Sequence, residues 1–476
     1  MAAVKKGKAP EEKKTAEEKA GTAQKGTAEG RGKGAEGVVA GLKRQGVRFI
    51  HLQFTDILGI VKSVTIPLEQ FPDCIERGKW FDGSSVEGFA RVLESDMYLR
   101  PDLSTLALLP WERDGETSAR VLCEVLTPEG ELFSGDPRTA LMRATEEAAA
   151  LGYRFRVAPE LEFFLFSPGE GGRMVPLAQD RGGYFDLSTG LAASVRKEMV
   201  RALQEMAIGV ETSHHELAVG QHEIDFTPED ALRTADNLIT ARYTLKAIAQ
   251  KHGLDVTFMP KPLEGTEGSG MHIHLSLFLT ATGENAFADP ADEYGLSPVA
   301  RHFLAGLLHH ARGMSAILNP LVNSYKRLVG GFEAPVYISW ARVNRSALIR
   351  VPRVNPRKLE TTRVELRNPD PAGNPYLAFA VMLKCGLHGV KEGLHLPPPV
   401  EENLFAFDPV ELRRRQIASL PETLGEALGE LRGDGVVREA LGELLFTKLL
   451  EAKSREWQEY RRHVTPWELE RYLGVW

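Results

Sequence analysis

The sequence predicts an α+β protein of at least two domains, on three observations. The chain has 476 residues, well past the size at which one hydrophobic core stops growing. Residues 47–133 alternate apolar and polar positions in short, turn-bounded runs, as strands do. Beyond them, strand-like runs mix with helix-length stretches. Apolar residues make up 43% and charged residues 26%, the mix of a soluble globular protein. A net charge of −7 argues against a dedicated nucleic-acid binder. Cys74, Cys123 and Cys385 are odd in number and widely spaced, which supports neither a disulfide framework nor a cysteine zinc site. No apolar run is long enough to span a bilayer, and the N-terminus lacks a secretory apolar stretch, so a cytoplasmic location is expected.

In chain order, residues 1–36 read as a disordered tail. They carry nine basic and six acidic residues, no aromatic and one valine, too little apolar surface to offset ordering entropy. A small strand-rich domain is expected over 37–133. VRFIHLQF and IVKSVTIP alternate around a TDILG turn; TLALLPW and ARVLCEVLTPEG are further strands, and Asp82–Gly83 has turn chemistry. A larger domain is expected over 134–476. It opens with a helix at DPRTALMRATEEAAALG, with Asp136 as N-cap and Pro137 at the first helical position. Strands are expected at VAPELEFFLF, HHELAVGQHEIDF, VTFMPKPL, MHIHLSLF and TRVELRNPD. Helices are expected near 190–207, 230–252, 297–317 and 375–391, and in the charged amphipathic stretch after 408. No internal repeat or long heptad run occurs.

The chemistry lies in carboxylates where strand interiors should be apolar. In PELEFFLF, Glu160 and Glu162 are two apart and share one strand face. Two such acids repel unless a cation lies between them; an exposed edge with solvated acids is the alternative. If Val219–Gly220 is a two-residue hairpin loop, Glu216 opposes Glu223, again like charges face to face. A longer loop with another register is the alternative. TTRVELRNPDP puts Arg363, Glu365 and Arg367 on one face. That suits an anionic ligand beside a metal, or a simple salt-bridge ladder. His272 and His274 follow Gly268 and Gly270, which let backbone approach a ligand closely. Five glutamates and one histidine form a hard, oxygen-rich set suited to Mg²⁺ or Mn²⁺. With Arg327, Arg345, Arg350, Arg363 and Arg367 they point to phosphoryl transfer. No GxxxxGK[ST] loop occurs, so a P-loop enzyme is excluded.

FDGSSVEGFARVLESDMYLRPD, PELEFFLF, SHHELAVGQHEIDF, FMPKP, GSGMHIH, NSYKRLVGGFEAP, NRSALIR and RVELRNPDPAGNPY together resemble glutamine synthetase, type I, from about residue 47 to the C-terminus. The resemblance implies a β-grasp N-terminal domain and a catalytic domain whose curved antiparallel sheet forms a funnel. It implies a homo-oligomer of two hexameric rings, a dodecamer with active sites between subunits. The implied substrates are L-glutamate, ammonium and ATP, with two or more Mg²⁺ or Mn²⁺ ions per site. Glu162, Glu216 and Glu223 resemble the ligands of the first metal; Glu160, His272 and Glu365 resemble those of the second. Arg327 and Arg367 match positions gripping the glutamate carboxylates, with Glu267 and Gly268 at the substrate loop. Arg345 matches the residue that neutralises the transferred phosphoryl group. Arg350, Arg363, His214, His274 and Ser276 fall on the nucleotide side. Asp82, supplied by a neighbouring subunit, matches the residue that deprotonates ammonium. Ser85, Asp96 and Tyr184 complete that pocket, and Glu333 sits at the closing flap. The implied chemistry makes γ-glutamyl phosphate and then glutamine.

Phe405 stands where the adenylylated subclass carries its tyrosine, and Arg91 matches the EGFxR arginine of the feedback-inhibited subclass. Three positions depart from the family pattern. Glu267 replaces an asparagine and would repel a glutamate carboxylate yet attract its ammonium group. Glu264 replaces an aromatic and adds negative charge. Gly330 replaces a proline and raises the entropic cost of loop closure. Two alternatives to ammonia ligation are a γ-glutamyl ligase using an amine and a catalytically weak glutamine sensor, for which a regulatory protein is the candidate partner.

Overall fold

The computed structural model describes residues 34–84, 86, 96–112, 117–177, 179–332, 334–344, 346–355 and 357–476. Ser85, Arg91, Glu333, Arg345 and residues 1–33 lie outside the described residues. The fold is α+β, as expected. A helix at Ala35–Arg44 begins inside the stretch read as tail; its Val38, Val39 and Leu42 pack onto the first core. The sheet above it contains β1 (Val47–Thr55), β2 (Val61–Pro67), β3 (Lys79–Asp82), β4 (Asp96–Pro101), β5 (Ala107–Leu108) and β6 (Thr117–Leu126). Its order is β2-β1-β6-β4-β3, with β5 on β6. β1 and β6 run parallel. A second helix, Phe71–Arg77, had no clear sequence signal and buries Phe71 and Cys74 in the same core.

The helix at Pro137–Ala150 is capped by Asp136, whose side chain accepts from Arg138 N–H. The buried Arg138 guanidinium bridges the two sheets' surroundings: it pairs with Asp236 at 2.9 Å and with Asp102 at 2.7 Å. The second sheet is built on β7 (Tyr153–Pro168), with β8 (Met174–Pro176), β9 (Val210–His215), β10 (Gln221–Phe226), β11 (Glu229–Asp230), β12 (Asp255–Thr257), β13 (Ile273–Leu279), β14 (Tyr337–Ala341), β15 (Ala347–Arg350) and β16 (Val364–Leu366). The order is β14-β15-β16-β13-β7-β10-β9, and β8, β11 and β12 also pair with β7. One 16-residue strand thus changes partner along its length, all antiparallel, and the sheet curls around it.

Alternation assigns the two faces. Phe155, Val157, Leu161, Phe163, Leu165 and Ile224 enter the large core, as do Ile273, Leu275 and Leu277. The helices Leu191–Glu205, Ala231–Lys251 and Pro375–Glu392 contribute to that same core. Glu160, Glu162 and Glu223 occupy the opposite, concave face. The single helix expected over 297–317 is two, Pro298–His309 and Ala311–Leu318, joined at His310, whose Nδ1 lies 2.7 Å from Asp434 Oδ2.

Candidate active site

β7 and β10 bring the first carboxylates together: Glu223 pairs with Glu162 and Asp225 with Glu160 across the ladder. The β9–β10 hairpin does not have the tight register expected. His214, not Glu216, opposes Glu223, and Glu216 N–H donates to Gln221 O at 2.9 Å. The loop is longer because Ala218 to Gln221 closes a turn, with Gln221 N–H donating to Ala218 O and Gly220 at φ 73°. The slip is two residues, so Glu216 and Glu223 still line one cavity. His214 Nε2 sits between them, 2.8 Å from Glu216 and 3.7 Å from Glu223.

From the other side, β13 and β16 deliver the second group. Glu160 lies between two histidines, its Oε2 3.0 Å from His272 Nδ1 and its Oε1 2.7 Å from His274 Nε2. Glu365 lies 3.7 Å from His272, 2.8 Å from Arg350 and 3.2 Å from Arg367. Arg363 Nε donates to His274 Nδ1 at 3.2 Å. Arg327 is 3% exposed and donates to the carbonyls of Asn368 and Pro369 and, through Nη2, of Arg367. A Cβ on Gly270 would fall 2.5 Å from Arg327 Nη2 and 3.1 Å from Glu162 Oε1, so glycine is required for that approach.

These side chains surround two adjoining cavities. One, of about 420 Å³, holds Glu160, Glu162, Glu216, Glu223, His272 and Glu365, together with Tyr184, His214, Glu267, Gly268, Arg327, Arg350 and Arg367. The other, of about 490 Å³, holds His274, Ser276 and Arg363 with Arg156 and Phe278. Glu160, Thr212 and Asp225 line both and form the partition. The expected nucleotide set is therefore split, with His214 and Arg350 on the first side. Asp82 and Asp96 pair with each other at the ends of β3 and β4 and are absent from both cavity walls of their own chain. Glu264, which adds negative charge, faces a third cavity with Lys261, Lys326 and Arg461 and lines neither of the first two.

Three contributors escaped the sequence reasoning. Asp225 follows Glu223 by two and was legible from that alternation. Gln221 holds the site from within: its Nε2 donates to Glu162 Oε2 at 2.9 Å and to Gly268 O at 3.2 Å. Asp180, discussed below, had no local signal.

The donor chemistry fits divalent cations. Glu160, His272 and Glu365 offer ligand atoms within 4.8 Å of one another, as do His214, Glu223 and Asp225. The expected trio Glu162, Glu216 and Glu223 shares the cavity but does not form such a group among the described residues. Burial pushes the Glu162 carboxyl up to about 7, the Glu216 charge adds to that, and His272 and Arg327 oppose it. Burial and the charges of Glu162, Asp225 and Glu160 push Glu223 well above the carboxylate range. Burial would also raise Glu365, but His274 and His272 hold it low. The centre thus has more buried negative charge than its own cations compensate, which a bound divalent ion would relieve.

Residues 134–472 match the family model described as glutamine synthetase, catalytic domain, and residues 46–128 match glutamine synthetase, beta-Grasp domain. A relative from Clostridium saccharobutylicum named glutamine synthetase is 48% identical over 440 residues, covering 92% of this chain and 98% of the relative. One of the same name from Thermus thermophilus is 50% identical over 444 residues, with the same coverage. A solved structure titled "GmaS/ADP complex-Conformation 1" superposes with a TM-score of 0.83 at 31% identity, covering 92% of this chain and 99% of that one. The chain belongs to the glutamine synthetase family.

Proposed function

We propose that the chain ligates ammonia to the γ-carboxylate of L-glutamate at the expense of ATP, giving L-glutamine, ADP and phosphate. The observation that carries this is the convergence of Glu160, Glu162, Glu216, Glu223, His272 and Glu365 on one cavity that also holds the buried Arg327 and Arg367. Mg²⁺ or Mn²⁺ held by those carboxylates would neutralise the phosphoryl oxygens and lower the barrier to their transfer. The arginine forks suit a substrate carboxylate, and the Glu267 carboxylate weakens that binding by like-charge repulsion. The cavity lined by Arg363, Arg156 and Phe278 takes the nucleotide. The γ-carboxylate attacks the terminal phosphorus, ADP leaves, and ammonia displaces phosphate from the acyl phosphate. A carboxylate is a poor electrophile until activated, and the activated form must be kept from water. Closure by the segment containing Gly330 and Glu333 serves that exclusion.

The finer assignments belong to the same proposal. The chain divides into two domains at about residue 134, with the first beginning by the Ala35–Arg44 helix, and works in the cytoplasm as a dodecamer in which Asp82, Ser85 and Asp96 complete a neighbour's ammonium pocket. It is of type I and unadenylylated, because Phe405 has no hydroxyl, and it is inhibited by glutamine through Arg91. Phosphate release from Mg-ATP, measured with glutamate and ammonium together and singly, tests the function: release should require both. The departure at Glu267 favours one second reading, an amine in place of ammonia. Strong preference for an alkylamine over ammonium in the same assay would establish that reading instead.

A further inference from the structure

Behind the metal-site hairpin lies a buried charged cluster. Asp180 Oδ1 stands 3.3 Å from His215 Nε2, and Oδ2 stands 2.8 Å from His222 Nε2. Arg196 Nη1, from the helix Leu191–Glu205, is 2.6 Å from His222 Nδ1. All four residues are less than a tenth exposed. Burial would raise the Asp180 carboxyl, but the two histidines hold it below its ordinary range.

Asp180, His215 and His222 present ligand atoms within 4.8 Å of one another, a donor set that would suit zinc. Arg196 argues against that use. A guanidinium only donates, so His222 Nδ1 must offer its lone pair and Nε2 must carry the proton. A metal on Nε2 would instead need a proton on Nδ1, set directly against the arginine N–H. The Arg196 contact at His222 thus favours a bracket of side chains over an ion site.

The bracket grips the parts of the active site that face away from it. His215 and His222 neighbour Glu216 and Glu223 in sequence and pair across the hairpin, so one carboxylate stands against a residue of each strand. Gly220 N–H, in the loop, donates to Asp180 O at 3.1 Å. His215 Nδ1 lies 2.6 Å from Glu216 O. Phe185 N–H donates to His215 O at 3.2 Å, and a Cβ on Gly182 would approach the His215 ring to 3.3 Å. Phe185 is held at φ 63°, a strained conformation for a bulky residue that its surroundings must enforce. The Tyr184 ring beside it meets His214 edge-on at 5.3 Å.

We propose that Asp180 is a positioning residue: through His215 and His222, with Arg196 fixing the His222 tautomer, it holds the Glu216–Glu223 hairpin and the Tyr184 segment in register and so sets divalent-cation affinity and glutamate KM while touching neither ligand. This rests on the proposed function. The test is Asp180→Asn in the full chain at matched protomer concentration, with Mn²⁺ binding followed by electron paramagnetic resonance beside glutamate KM, kcat and Tm. Mn²⁺ binding should weaken by about tenfold or more, as when a residue supporting a metal ligand is lost. Glutamate KM should rise, and kcat at saturating Mn²⁺ should fall much less. Arg196→Met should move the same quantities in the same direction, and Arg196→Lys, which still donates, should restore them; this pair decides the matter if Asp180→Asn does not fold. Unchanged Mn²⁺ binding and KM in folded variants, or activity falling only with the folded fraction, would overturn the proposal. Wild-type protein that binds Mn²⁺ yet does not join glutamate and ammonium would overturn the proposed function alone.

Discussion

Replacing Glu162 by glutamine should stabilise the protein in a chelator while weakening its response to added metal. Glu162 is 8% exposed, and its carboxyl titrates at about 7 because burial and Glu216 outweigh His272 and Arg327. Moving a carboxyl from 4.5 to about 7 corresponds to roughly 3 kcal/mol. The sign follows from proton linkage. The folded chain holds this proton more tightly than the unfolded chain, so the group lowers stability progressively as pH rises from about 4.5 to about 7, and fully above that. Glutamine removes the charge and keeps an acceptor for the Gly270 N–H, now 2.9 Å from Oε2. In a chelator at pH 8, Glu162→Gln should therefore exceed wild type by up to about 3 kcal/mol, and the gap should shrink towards pH 5. With Mg²⁺ the advantage of the variant should shrink or reverse, because wild type keeps every carboxylate of the cluster and gains more by binding. Urea unfolding at equal protomer concentration reads all three conditions. No advantage for the variant in chelator at pH 8, or an equal gain from Mg²⁺, would refute the argument that the cluster is under charge stress.

Other substitutions probe the remaining walls. Arg327→Lys loses the fork that donates to Asn368 O, Pro369 O and Arg367 O, and should raise glutamate KM by about tenfold or more, read by steady-state kinetics. Gly270→Ala forces apart Arg327 and Glu162, and kcat/KM should fall by about a hundredfold, with secondary structure by circular dichroism unchanged. Glu267→Asn removes a carboxylate from the substrate cavity and should lower glutamate KM; an unchanged value would mean that Glu267 does not meet the substrate.

How much of this was legible depends on the range of each interaction. Strand alternation is local, so Glu160 with Glu162, and Arg363 with Glu365 and Arg367, could be assigned to faces before any coordinates. The convergence of those faces could be argued only from charge, since five acids on apolar-backed strands need a counter-ion. Register is less local. The β9–β10 slip arises from the Ala218–Gln221 turn and from the Gln221 side chain, whose Oε1 accepts from Ala218 N–H at 3.2 Å, a preference no hairpin rule encodes. The error nonetheless preserved the face, because a two-residue slip does. Asp180 lay beyond reach: its partners are more than thirty residues away in sequence, and nothing around it signals burial.

His214 shows what such a slip changes chemically. The family resemblance implies a nucleotide contact for it, and the observed register puts its Nε2 between Glu216 and Glu223. With Glu223 and Asp225 it offers ligand atoms within 4.8 Å of one another, so it stands among the residues that could hold a cation. Its ring contacts with Tyr184 and Phe185 tie that position to the wall those residues form in the same cavity.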